Sequence, residues 1–166
     1  MTIAWGLLIQ AARRGELPLV QFGCSPQDVA RHGVQPVYLA TPYSKRTVED
    51  GAWSLFASID LMLEAAGEVA RLKSVGVSAF SPIVLSAAVV HAADHAADPK
   101  EFDEHHPLDA AAWLRWCQPF LNVCGAVVVP AIEGWDQSAG IKAEVAFAVQ
   151  RGVLVFVYAG GVGDGF

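Results

Sequence analysis

Residues 126–158 read AVVVPAIEGWDQSAGIKAEVAFAVQRGVLVFVY, and this stretch decides the fold. Ala126–Val129 is apolar at every position and is closed by Pro130. A short run without alternation is the pattern of a strand covered on both faces. From Ala139 the apolar residues Ile141, Val145 and Ala148 recur at helical spacing up to Arg151. Ser138 stands where an N-cap belongs, and Gly152 where a helix terminates. Val153–Tyr158 is a second fully apolar run. Strand, loop, helix and strand within about thirty residues make the repeating unit of a parallel sheet.

The same unit recurs toward the N-terminus. Val37–Thr41 is a short apolar run ended by Pro42, and Val77–Phe80 is another ended by Ser81-Pro82. Between them, residues 50–73 carry apolar residues at helical spacing, with Gly76 beyond the end. Residues 84–93 read as a short helix, 94–107 as a polar loop, and Leu114, Cys117, Leu121 and Cys124 mark a further helix. Strands alternating with helices, joined by right-handed crossovers, predict an α/β fold: a doubly wound parallel sheet of four to five strands flanked by helices. Residues 2–14 and a capped segment from Ser25 read as helices, so residues 1–35 are expected to be an N-terminal helical appendage. Residues 36–166 are expected to be a single α/β domain.

Composition narrows the function classes. A chain of 166 residues with 54% hydrophobic content suits one globular domain. A net charge of −6 argues against binding nucleic acid through its phosphates. Ser74–Ala93 has no formal charge and is long enough to span a bilayer, but Gly76, Pro82 and four serines interrupt it, so no membrane span is expected. The apolar start of the chain precedes its basic pair, the reverse of a signal peptide. Cys24, Cys117 and Cys124 form no C-x-x-C pair and fit a reducing, cytoplasmic setting. No G-x-G-x-x-G or Walker A pattern is present, so no cofactor of those types is expected. His91 and His95 stand at i and i+4 with acidic neighbours. They read as a polar insertion near the site more readily than as a zinc pair, so no metal is expected.

In open α/β sheets, ligands bind beyond the carboxyl ends of the strands. That rule selects the loops at 41–47, 81–84 and 132–140. The first supplies Thr41, Pro42, Tyr43 and Ser44, and the second Ser81 and Pro82. The third supplies Trp135, Ser138 and Gly140 at a helix N-terminus, a place that favours an anion or an oxygen-rich ligand. Lys45 and Arg46 either hold a phosphate or are solvated. Glu144 lies about one turn into that helix beside its apolar stripe. It is either a poorly solvated carboxylate fit for nucleophilic or base chemistry, or a surface glutamate paired with Lys142 or Arg151. Tyr38 is either a packed strand residue or part of the site.

Three segments together, VYLATPYS, FSPI and GWDQSAGIKAEVAFAVQRGV, resemble the nucleoside 2-deoxyribosyltransferase superfamily. The closer likeness is to an uncharacterised bacterial branch whose first strand runs into Y-L-A-T-P-Y-S. The resemblance covers about residues 36–158. It implies a flavodoxin-like fold and cleavage of an N-glycosidic bond through a glutamate nucleophile. It implies Glu144 as that nucleophile, Asp136 as the acidic residue assisting at the base or sugar, and Tyr38 as the tyrosine steering the carboxylate. Trp135 and Tyr43 are then expected to stack on a nucleobase. The implied partner is a small-molecule nucleoside or nucleotide, and the implied assembly a homo-oligomer. Where relatives carry an aspartate before the third strand, this chain has Cys124-Gly125. That departure keeps open a second expectation, a non-catalytic sensor that binds a nucleotide derivative.

Overall fold

The computed structural model describes residues 4–94 and 106–158. Its elements are α1 (Trp5–Arg13), β1 (Val20–Cys24), α2 (Pro26–His32), β2 (Val37–Leu39), β3 (Val48–Glu49), β4 (Ala52–Trp53) and α3 (Leu55–Ser74). They continue with β5 (Ala79–Phe80), α4 (Pro82–Asp94), α5 (Ala110–Val123), β6 (Ala126–Val129), α6 (Ala139–Gln150) and β7 (Leu154–Tyr158). Five strands form one parallel sheet in the order β1-β7-β6-β2-β5. This is the expected α/β architecture, consistent with a flavodoxin-like doubly wound fold.

The apolar runs behave as two-faced strands. Tyr38, Val127, Val129, Val155 and Val157 point to one face, with Leu121 of α5 and Ile141, Val145 and Ala148 of α6. Val37, Leu39, Ala126, Val128 and Phe156 point to the other, with Val29 of α2 and Leu72 of α3. Successive side chains alternate in direction, but both directions meet helices, so every position selects an apolar residue. Tyr38, Leu39, Val127, Val128 and Phe156 are all fully buried.

The N-terminal segment departs from expectation. Residues 1–35 are not a purely helical appendage, because Val20–Cys24 pairs in parallel with β7 as the fifth strand of the sheet. The run Val20-Gln21-Phe22-Gly23-Cys24 was hidden by its polar and glycine positions. Only Val20 and Cys24 are buried, as suits an edge strand. The helix starting near Ser25 forms as read. Ser25 and Asp28 make a reciprocal capping box, and Gly33 ends the helix at φ 67°.

The third helix begins later than its periodicity implied. Asp50 and Gly51, at φ 50° and 80°, turn residues 48–53 into a small antiparallel hairpin, and α3 starts after Ser54, its N-cap. A D-G pair with both residues at positive φ is the signature of a two-residue hairpin loop. Among the described residues no helix is long and apolar enough to cross a membrane.

Gly125, exposed just before β6, makes the tightest approach of the described glycines. A Cβ built there would stand 2.5 Å from Cγ1 of Val34. Gly125→Ala is therefore expected to destabilise the fold by about 1–3 kcal/mol through overpacking. Urea denaturation measures it, and an unchanged midpoint would mean that the Val34 turn yields freely.

Candidate active site

Chain order runs from β2 to β5 on one side and then to β6 on the other, so the winding reverses between β2 and β6. A crevice opens beyond the carboxyl ends of two such strands. A cavity of about 560 Å³ lies there, reached by the segment 41–46, α4, the start of α5, and the 133–144 segment.

Glu144 lines this cavity from α6. Ser138 caps that helix, its hydroxyl accepting the Ile141 N–H at 3.3 Å. Ile141, Val145 and Ala148 bury one stripe of α6, which sets Glu144 at the cavity edge of that stripe. The hydroxyl of Tyr38 donates a hydrogen bond to Oε1 of Glu144 at 2.7 Å. Burial pushes the Glu144 carboxyl up to about 7, and the Tyr38 hydrogen bond opposes that rise. Lys142 and Arg151 are not its partners; Arg151 reaches Asn122 at 2.5 Å instead.

Tyr38 is fully buried and does not touch the cavity. Its ring packs 5.8 Å from Phe80, which stacks on Phe120 at 4.1 Å. Burial first, and the Glu144 charge second, hold its hydroxyl far above the ordinary phenol range. The phenol therefore stays protonated and can only donate to the carboxylate. Cys117 of α5 lines the cavity beside this pair, and burial pushes its thiol up to about 12. It is a neutral thiol at physiological pH, not a nucleophile.

The remaining expected residues divide. Thr41, Pro42, Tyr43, Ser44, Pro82, Ser138 and Gly140 line the cavity. The Thr41 hydroxyl is buried without a hydrogen-bond partner among the described residues, an open position for a ligand oxygen or nitrogen. Tyr43 presents its ring, but its hydroxyl is tied to Ser58 Oγ at 2.7 Å and accepts the Trp53 indole N–H at 3.1 Å. Ser58 continues the chain to Nε2 of His91 at 2.9 Å. His91 thus anchors the wall behind Tyr43. Among the described residues no cluster of three metal-ligating side chains occurs, and His95 lies outside them.

Three expectations are corrected. Trp135 does not offer its ring to a base: it is 3% exposed and packs edge-on against Trp5 of α1, centroids 4.7 Å apart. Asp136 sits in the same 3-10 turn, Trp135–Gln137, and does not line the cavity. The turn carries the consecutive residues 135 and 136 away from the cavity, and Glu133, Gly134 and Gln137 line it instead. Ser81 is buried, its hydroxyl accepting the Val84 N–H at 3.3 Å as a helix cap rather than facing a ligand.

Sequence reasoning passed over Cys117, which read as core, and over Trp113 and Ser86; all three line the cavity from α5 and α4. It also passed over Glu133, the only described carboxylate besides Glu144 in the lining. Glu133 stands next to Gly134, whose φ of 80° turns the chain there. Gly125 lies before β6, at the amino end of the sheet, opposite the cavity. The missing carboxylate at that position therefore takes nothing from the lining.

No curated protein and no solved structure matches this chain. Residues 35–160 match a family described as a domain of unknown function (DUF1937), a span that takes in β2 through β7 and all of the cavity. The chain belongs to the DUF1937 family.

Proposed function

We propose that this protein cleaves the N-glycosidic bond of a nucleoside or nucleotide, with Glu144 as nucleophile, as in the nucleoside 2-deoxyribosyltransferase-like enzymes that its loop sequences resemble. The observation that carries the reading is the Tyr38–Glu144 pair: a carboxylate recessed at a switch-point cavity, oriented by a buried phenol at 2.7 Å. An oxygen of Glu144 attacks the anomeric carbon as the C–N bond breaks, and the base leaves with the bonding pair. Glu133, the second carboxylate of the lining, protonates the departing base. Water, giving a proton to the Glu133 carboxylate, then attacks the anomeric carbon of the glycosyl ester, which releases the sugar and restores both Glu144 and Glu133. An oxocarbenium-like transition state gains from a carboxylate at this distance from bulk water. The pocket is fitted to a small molecule and requires no cofactor or metal for these steps.

A second reading, a sensor that binds a nucleotide derivative without turnover, is favoured by one observation. A carboxyl that titrates at about 7 is half protonated at neutral pH, so it can donate a hydrogen bond to a ligand as well as attack it. The readings separate in one assay. Ribo- and deoxyribonucleosides and their 5′-monophosphates are incubated with the protein and with Glu144→Ala, and free base is followed by chromatography. Base release that disappears in Glu144→Ala supports the enzyme. Silence with saturable binding of a panel member supports the sensor. We further propose that the protein acts in the cytoplasm as a homo-oligomer, which light scattering returning a monomer would overturn.

A further inference from the structure

We propose that Trp5 is a positioning residue for the loop that walls the cavity, so that the N-terminal helix holds the site from outside it. Trp135 stands in the turn between Gly134 and Gln137, both of which line the cavity. Its indole is turned away from the cavity and buried against Trp5, the two rings edge to face at 68°. Trp5 in turn meets Phe22 of β1 edge-on at 6.4 Å. The loop is therefore clamped between α1 and β1 outside and α6 inside.

The backbone of the turn does not fix its place on the sheet. The hydrogen bonds donated by the amides of Trp135, Gln137 and Ser138 go to Ile132, Gly134 and Trp135, all within residues 132–138. Apart from the cap that joins Ser138 to α6, what sets the turn against the sheet is the packing of Trp135. Neither indole N–H has a hydrogen-bond partner among the described residues, so the contact rests on ring packing alone. Removing the Trp5 ring leaves one side of Trp135 without a neighbour and frees the turn to shift. Ser138, which ends the turn, is also the N-cap of the helix that carries Glu144, so a shift reaches the carboxylate and the lining together. Trp5 and Phe22 lie before residue 35, ahead of the family match.

This inference rests on the cavity being the substrate site and not on the chemistry assigned to it. Amide hydrogen exchange on wild type, Trp5→Ala, Trp5→Phe and Leu7→Ala tests it. Leu7 is exposed on the same helix and is the control. The expected result is exchange at least tenfold faster at residues 132–141 in Trp5→Ala, with residues 126–129 and 55–74 unchanged. Trp5→Phe restores most of the protection, and Leu7→Ala matches wild type. Where base release is measurable, Trp5→Ala raises KM severalfold with a smaller change in kcat. Unchanged exchange at 132–141, or an equal rise across the whole sheet, would overturn the proposal. If Trp5→Ala does not fold, Trp5→Leu keeps apolar bulk without the edge contact and is held to the same outcomes. The exchange measurement needs no turnover, so it succeeds or fails independently of the N-glycosidic reading.

Discussion

Glu144→Gln is expected to abolish base release while making the protein more stable above pH 7. The two effects have one cause. The carboxyl of Glu144 titrates at about 7 in the folded chain, against 4.5 for an unperturbed glutamate, because it is recessed from water. The folded state then binds a proton more tightly than the unfolded state. Stability therefore falls as pH rises from about 4.5 to 7, and the full cost is present above that window. At 1.36 kcal/mol per unit, a rise of about 2.5 units costs on the order of 3–4 kcal/mol. Glutamine keeps the shape and an acceptor for the Tyr38 hydroxyl but never ionises. At pH 5 the variant should match wild type, and at pH 8 it should unfold at higher temperature or denaturant. Turnover should fall by a factor of about 10³ or more, because the proposed covalent intermediate forms on the Glu144 carboxylate, which glutamine cannot replace. Unfolding curves at the two pH values check the stability arm. A Gln variant less stable than wild type at pH 8 would mean that the carboxylate is stabilised by its surroundings, and the desolvation cost assigned to it would be absent. Stability held below its maximum to keep an ionisable group in place is the usual trade at an active site.

The parts of this site legible in the sequence are those set by strand ends and helix starts. Proline after β2 and β6, and serine before α6, place the loops at one edge of the sheet through backbone rules alone. Glu144 was legible because it stands one turn inside a capped helix, on the border of an apolar stripe. Tyr38 was half legible, since its position in β2 fixed which face it points to but not what it meets there. The edge strand β1 was not, because an outer strand needs only two buried positions and tolerates glutamine and glycine between them. Trp135 was misplaced for a related reason. An aromatic residue in a loop of glycines and polar residues looks exposed until a second element covers it, and Trp5 comes from more than a hundred residues away. Asp136 was misplaced because a single 3-10 turn rotates successive side chains by about 120°, a detail below the reach of residue patterns, and Glu133 just before the turn lines the cavity in its stead. Cys117 read as core because α5 is apolar on a face that turns out to border a cavity.

Tyr38→Phe separates the roles open to Glu144. Phenylalanine keeps the ring against Phe80 and removes only the hydroxyl, so the fold should persist. The lost hydrogen bond is the one feature that pulls the carboxyl down, and Glu144 must then titrate above its present value of about 7. A charge-assisted hydrogen bond contributes about 1.5–3 kcal/mol, which corresponds to a rise of roughly one to two pH units. A nucleophile works only when ionised. The acid limb of the rate profile should therefore move up by that amount, base release at pH 7 should fall by roughly five- to fiftyfold, and most of it should return at pH 9. Cys117 does not complicate the profile, since its thiol stays neutral until about 12. If Glu144 instead serves as a proton donor, the sign reverses: the variant holds its proton to higher pH, and activity at pH 8 rises relative to wild type. A direct titration of the Glu144 carboxyl by NMR in both proteins fixes the shift without any substrate. An upward shift with no movement of the rate profile would place Glu144 outside the chemical step and move the weight to the binding role. An unshifted carboxyl would mean that the 2.7 Å contact does not govern its ionisation, and the orienting role of Tyr38 would fall with it.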